Sequence, residues 1–349
     1  GEAGDPVNTA TGSHYFAMEL FSLGGALPLT FEIYYQSDLY ENAGLARAFA
    51  GKFGLNWVHN FLMIRLADGD TRTRILYDYG KELSFEAGEG GWVLKHPTDV
   101  PYQLKVSVDG KFHLLDPVKG RIYTFGAVSR MLERVTDRSG NALTLSYDGG
   151  GRLSQISDGL GRILRLAYNA EDSALPDDIC QLPADGESPA RCYLLSYDGN
   201  LLTSLTDLGG NVTRFEYDPQ GRSGLLTRMV RPRGNAPTVQ TYDAQGRVAV
   251  QRDALGHETT LVYSGASTTV TRPDGSQNVQ EHAQGNLTAY RDDEGNAFHL
   301  GYDAQGRKNR LEDREGGVRS ASTGASGFEE RLRYEGQKCA SEIGMRYAS

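Results

Sequence analysis

Forty-five carboxylates and seven histidines are the residues of this 349-residue chain with the chemistry to activate water, hold a metal or pair as acid and base. Their spacing assigns them other work. His14, His59, His96, His113, His257, His282 and His299 are scattered, with no pair at helical metal spacing and no CxxC companion, so they read as surface or packed imidazoles. HExxH, GxSxG, GxxxxGK[ST], a strand-linked GxGxxG and an EF-hand loop are all missing from the sequence. The aspartates recur, but in an Asp-x-x-Gly phase that explains them as turn formers. A hydrolase built on two facing aspartates would need a separation that sequence does not supply. The sequence thus implies no catalytic residue, no cofactor and no metal.

The elements that must carry these aspartates are short hairpins. Asp137 with Gly140, Asp158 with Gly161, Asp207 with Gly210, Asp253 with Gly256 and Asp292 with Gly295 each open a turn. Ten residues after each of these aspartates stands the tyrosine of a Tyr-Asp pair or its equivalent: Tyr147, Tyr168, Tyr217, Tyr263 and Tyr302. Tyr197 and Tyr242 belong to the same series, and YDAQGR occurs at both 242 and 302. Counting back in twos from the tyrosine gives Leu143/Leu145, Leu164/Leu166 and Phe298/Leu300 with mostly polar residues between them, the period of a strand with one apolar face. Asp accepts hydrogen bonds from N–H groups two residues on, and Gly takes the positive φ that a Cβ would strain. The unit is therefore turn, strand, turn, strand, and each marginal hairpin must bury itself against its neighbours. A tyrosine ring covers apolar area while its hydroxyl stays wet or bonded, so the ladder reads as structural. A carbohydrate- or cell-surface-binding array built from the same ladder is the alternative reading.

Composition agrees with an all-β chain, since 43 glycines, 19 tyrosines and a mean hydropathy of −0.47 favour turns over long apolar helices. No run approaches the roughly 18 apolar residues of a membrane span and no basic-then-apolar leader opens the chain, so neither a membrane insertion nor a Sec signal of its own is expected. The net charge of −9 opposes phosphate backbones and argues against nucleic acid as a partner. Of the three cysteines, Cys180 and Cys192 bracket the loop-like QLPADGESPAR, where a disulfide would staple a surface insertion; unpaired thiols are the alternative, and Cys339 stays free.

The first hundred residues differ from the repeats. Two alternating runs, 14–21 and 27–35, flank Gly24-Gly25, and a polar loop leads to GKFGLNWVHNF, in which Phe53, Trp57 and Phe61 read as core. More short strands follow from Arg74 to Leu115, and one continuous sheet with an N-terminal β module over 1–115, repeats over 116–320 and an irregular tail over 321–349 is expected. The Tyr-Asp pairs, the offset Asp-x-x-Gly turns and the opening GDPVNTATG, with Asp5, Pro6, Val7, Asn8, Thr11 and Gly12 followed by Gly54 to Trp57, together resemble the Rhs/YD-repeat proteins. These comprise bacterial polymorphic toxins, C subunits of insecticidal toxin complexes and teneurins. The resemblance implies an antiparallel β-hairpin sheet, curved or spirally wound, forming part of a hollow shell around a C-terminal toxin domain. It further implies an exported bacterial protein, commonly a passenger of type VI secretion attached to a spike protein, with the toxin domain or the remaining shell as partner. Sixteen strands at roughly 4.8 Å make a ribbon of about 75 to 80 Å, about one turn of a tube some 25 Å across, so the chain is expected to be either a fragment of such a cage or a sheet that serves another purpose.

Overall fold

Aspartate and glycine turns fold the chain back about every ten residues along the repeats. The computed structural model describes residues 2–3, 6–40, 52–169, 173–183, 189–219, 224–321 and 332–335, and within them every regular element is a β-strand, as the composition predicts. Asp5, the loop over 41–51 and most of the tail, Cys339 included, lie outside the described residues. From Ile64–Asp68 onward, consecutive strands pair antiparallel in chain order to Leu332–Glu335 as one ladder. Its first strand is also tied back on the wall: Ile64 bridges Met131, and the Arg65 N–H donates to the Arg130 carbonyl at 2.9 Å.

The strand before each tyrosine alternates as the sequence implies. In Ala142–Tyr147, Leu143 and Leu145 are buried while Thr144 and Ser146 are exposed. The strand after the tyrosine does not alternate. Pairing slips by one residue just before Tyr147, Tyr197, Tyr217, Tyr242 and Tyr302, and Tyr147 faces Leu153 where Ser146 faces Gln155. The extra residue is a β-bulge, and it moves the apolar spacing of the following strand from two to three. Leu153/Ile156 and Leu202/Leu205 are accordingly the buried pairs of their strands.

One expectation is corrected here. The opening runs do not continue the wall; Tyr15–Leu23, Leu29–Gln36 and Trp57–His59 form a separate three-stranded sheet. This small sheet packs on the leucine and tyrosine face of the repeats. Leu29, Phe31, Ile33, Tyr35, Phe53 and Trp57, all fully buried, share one core with Leu145, Ile156, Leu166, Leu195, Leu205 and Phe215. Aromatic residues suit this seam because an isolated ladder of hairpins offers wide leucine rows that only bulky side chains from a second layer can fill. The wall from Ile64 to Phe125 contributes Ile75, Tyr77, Leu83, Phe85, Leu114 and Phe125 to the same core.

Candidate functional site

The aspartate turns of the wall share one hydrogen-bond pattern. In the turn from Asp148, Oδ1 accepts from the Gly150 N–H at 3.0 Å and the Arg152 N–H at 2.9 Å, while Oδ2 takes the Arg152 Nε at 2.7 Å. Asp243 with Arg247 and Asp303 with Arg307 repeat the pattern, and Asp137, Asp207 and Asp292 hold an asparagine four residues on in the same way. Asp158 pairs with Arg162 and Asp253 with His257. Each carboxylate is thereby kept charged. The Asn141 side chain is the chief cause that holds Asp137 below the ordinary carboxylate range; at Asp148 partial burial pushes upward, and the N–H and guanidinium of Arg152 together overcome it. Gly140, Gly161, Gly210, Gly256 and Gly295 all take positive φ, and at each of them a Cβ would meet open space, so backbone conformation alone requires glycine.

The tyrosines are spent on the wall itself. The hydroxyls of Tyr147, Tyr168, Tyr217, Tyr263 and Tyr302 each donate to the carbonyl fifteen residues earlier, on Leu132, Leu153, Leu202, Val248 and Leu287, at 2.6 to 2.9 Å. Tyr242 reaches the Leu226 carbonyl at 2.7 Å, and Tyr197 turns to the Phe53 carbonyl at 3.5 Å. Burial raises these phenols above their ordinary value, so they donate and do not ionise. The sequence signal for this bond was the constant fifteen-residue interval between each tyrosine and a leucine or valine on the paired preceding strand.

The opening motif docks on the repeats. Gly12 accepts at its carbonyl from the Val248 N–H at 2.9 Å, and a Cβ at Gly12 would stand 2.3 Å from the Arg247 Cβ. The Thr9 hydroxyl donates to Gln280 Oε1 at 2.8 Å and lies 3.1 Å from His282 Nε2, while the Thr268 hydroxyl donates to the Thr9 carbonyl at 2.6 Å. Val7 packs with Val248, Leu261 and Val270. Here the covered face changes character, because Gln240, Gln251, Thr268, Asn278 and Gln280 replace leucine in buried positions. A polar row facing a polar loop satisfies both. Further along, the Trp57 indole donates to the Tyr217 hydroxyl at 2.9 Å, and the Tyr35 hydroxyl donates to the Gly224 carbonyl and accepts from the Leu226 N–H, both at 2.7 Å.

Cys180 and Cys192 are joined by a disulfide, and they stand directly opposite each other on the neighbouring strands Asp178–Leu182 and Arg191–Asp198. The histidines are not brought together. His14, His59 and His282 are buried at separate points of the small sheet and its seam, and among the described residues no group of three or more His, Cys, Asp or Glu is placed to hold a metal. His59 stacks on Phe31 with Phe53 at its edge, and burial, aided by Lys52, pushes its imidazole down to about 3. The arrangement builds a surface. Its carboxylates and phenols are engaged in turns and cross-strand bonds.

Two family comparisons match. Residues 4–85 fit a domain of unknown function, DUF6531, and residues 130–163 and 196–236 fit the RHS Repeat. Two curated proteins of Dickeya dadantii, the probable deoxyribonucleases RhsA and RhsB, are each 32% identical over 146 residues, which is 37% of this chain. The chain spans about a tenth of the length of either relative, since the match covers 10% of each. Among solved structures, a crystal structure of TcdB2-TccC3-Cdc42 matches 69% of this chain and 17% of its own with 13% identity and a TM-score of 0.36. A crystal structure of TcdB2-TccC3 covers 85% of this chain and 18% of its own at 13% identity and a TM-score of 0.35.

Proposed function

Because the chain belongs to the Rhs/YD-repeat family, we propose that it is a non-catalytic wall segment of an Rhs-type polymorphic toxin, enclosing a toxin domain for delivery. The coarser part of this, a structural shell of a toxin-related protein, follows from the family and from the ladder of repeats. The observation that carries the finer part is that the repeats' polar chemistry is largely spent in making the wall: aspartates such as Asp148, Asp207, Asp243 and Asp303 are bonded four residues on, and the tyrosine hydroxyls donate to main-chain carbonyls. The same bonds weaken the reading as a sugar-stacking array. The relatives bear the name of probable deoxyribonucleases, and in this proposal such activity belongs to a part of those proteins that this chain does not match. The sequence units over 1–115, 116–320 and 321–349 are proposed as N-terminal module, repeats and tail, with the shell's own remainder, the toxin domain and a secretion spike as partners of an exported bacterial protein.

Protease protection tests the proposal. The C-terminal domain of the full-length protein, produced with this chain as a fusion or as a separate polypeptide, is expected to co-purify with it and to resist a protease that degrades the isolated domain. A domain that neither co-purifies nor gains resistance defeats the encapsulating role. Purified alone, the chain is expected to leave linear DNA intact.

A further inference from the structure

We propose that the wall is hinged at the seam between Leu226–Val230 and Thr238–Tyr242, and that the small N-terminal sheet with its opening loop is the splint that holds this seam shut. The hinge belongs to the wall itself and needs no enclosed domain. Its two strands share one residue pair, Arg228 with Val239, whereas the adjoining seams have four and five. Among the described residues, no other seam of the repeats has fewer than three. The connection RPRGNAP explains the loss. Its turn closes normally, with the Arg231 N–H donating to the Asn235 carbonyl at 2.9 Å, but Ala236 and Pro237 then stand where the next strand would begin. Pro237, opposite Val230 if the register continued, has no N–H to give the ladder.

Side chains take the place of the missing ladder. Across the seam, Gln240 Nε2 and the Tyr242 hydroxyl both donate to the Leu226 carbonyl, at 2.6 and 2.7 Å. From the small sheet, the Tyr35 hydroxyl accepts from the Leu226 N–H and donates to the Gly224 carbonyl, and Asn56 Nδ2 adds a bond to that carbonyl at 3.1 Å. These contacts hold the strand on one side of the seam. The strands beyond it are held by the opening loop, through the Val248 N–H on the Gly12 carbonyl and through Thr9 on Gln280 and Thr268. Loop and sheet act as one piece, because the Ser37 N–H donates to the His14 carbonyl at 2.9 Å and the His14 N–H to Ser37 Oγ at 3.1 Å. The N-terminal module thus grips the wall on both sides of its thinnest seam.

Packing beneath the seam is open as well. A cavity of about 450 Å³ separates the strand Tyr15–Leu23 from it, lined by Phe16, Met18, Leu226, Met229, Pro237 and Gln240. A seam with one ladder pair and an unfilled underside loses the least by opening, while the fully paired strands on either side move as units.

Hydrogen–deuterium exchange on the whole chain, read by mass spectrometry, tests the hinge. In the parent, the amides of Leu226–Val230 and Thr238–Tyr242 are expected to exchange about tenfold or more faster than those of Val212–Tyr217 and Val248–Asp253. Tyr35→Phe keeps the ring but loses both bonds. It is expected to speed exchange at the seam by about a further tenfold while Ala142–Tyr147 and Leu153–Ser157 stay unchanged. A seam as slow as its neighbours in the parent overturns the proposal, as does a Tyr35→Phe effect spread evenly over the wall. Arg228→Cys/Val239→Cys covers the case in which Tyr35→Phe does not fold, since the directly opposite Cys180 and Cys192 already form a disulfide in this wall. The cross-linked seam is expected to exchange about tenfold or more slower than in Arg228→Ser/Val239→Ser. Equal rates in the two show a seam that does not open, which also overturns the hinge.

Discussion

At the scale of single residues, the turn aspartate and its glycine act through different physics and can be separated by mutation. Asp148→Ala removes three bonds to Gly150 and Arg152 and is expected to cost about 1 to 2 kcal/mol. Gly151→Ala removes nothing, but it forces an alanine to φ +75° in open space and should cost about 1 to 2 kcal/mol through the backbone alone. Urea midpoints measure both, and a neutral Gly151→Ala would remove the conformational argument. The tyrosines grade by burial. Tyr217→Phe strands the Leu202 carbonyl and the Trp57 indole in the core and should cost about 1 to 3 kcal/mol, whereas Tyr302→Phe frees one partly exposed carbonyl to water and should cost clearly less. The turn bonds were legible because donor and acceptor lie within five residues. The hydroxyl-to-carbonyl bond left only its fifteen-residue interval in the chain, and its partner is fixed by the register of the two paired strands of one hairpin.

At the scale of elements, the strand preceding each tyrosine was legible from its period of two, and the strand following it was not. A search for alternation passes over Leu153/Ile156 and Leu202/Leu205, because the bulge inserts a residue that only the pairing reveals. The three-residue spacing is nevertheless written in the chain, and a template allowing one inserted residue after each Tyr-Asp turn recovers it. The separate small sheet was illegible for another reason. Its runs alternate like those of the wall, and nothing local distinguishes a strand that joins a ladder from one that lies across it. The disulfide makes an element-scale prediction, since it ties the adjacent strands Asp178–Leu182 and Arg191–Asp198 across a sequence separation of 12 residues. Closing a loop of that size stabilises by about 3 kcal/mol in the chain-entropy account. Cys180→Ala/Cys192→Ala should therefore lower the urea midpoint of the oxidised protein and leave that of the reduced protein nearly unchanged. An equal midpoint with and without reductant in the parent would contradict this.

At the scale of the whole molecule, the seam between small sheet and wall holds buried histidines, and this sets how the fold responds to acid. His59 and His282 both titrate below the ordinary imidazole value, chiefly because burial disfavours the charged ring. The unfolded chain takes up these protons from about pH 6.5 downward, while folded His59 holds its neutral form to about 3, so stability is fully present above 6.5 and declines as pH falls toward that lower limit. The turn aspartates act in the same direction but in a lower window: their folded values are depressed below an unfolded value of about 3.9, so their contribution fades only as pH drops past it. Between about pH 7 and 5 the histidines therefore dominate the slope. His59 is faced by the rings of Phe31 and Phe53 and sits in the field of Lys52, and both its burial and that field disfavour an imidazolium. His59→Phe loses the acceptor for the Phe61 N–H and starts from a lower stability at every pH, yet its urea midpoint should fall less steeply across that interval than the parent's. Identical slopes in parent and variant would show that the acid response of the assembled fold arises away from this seam.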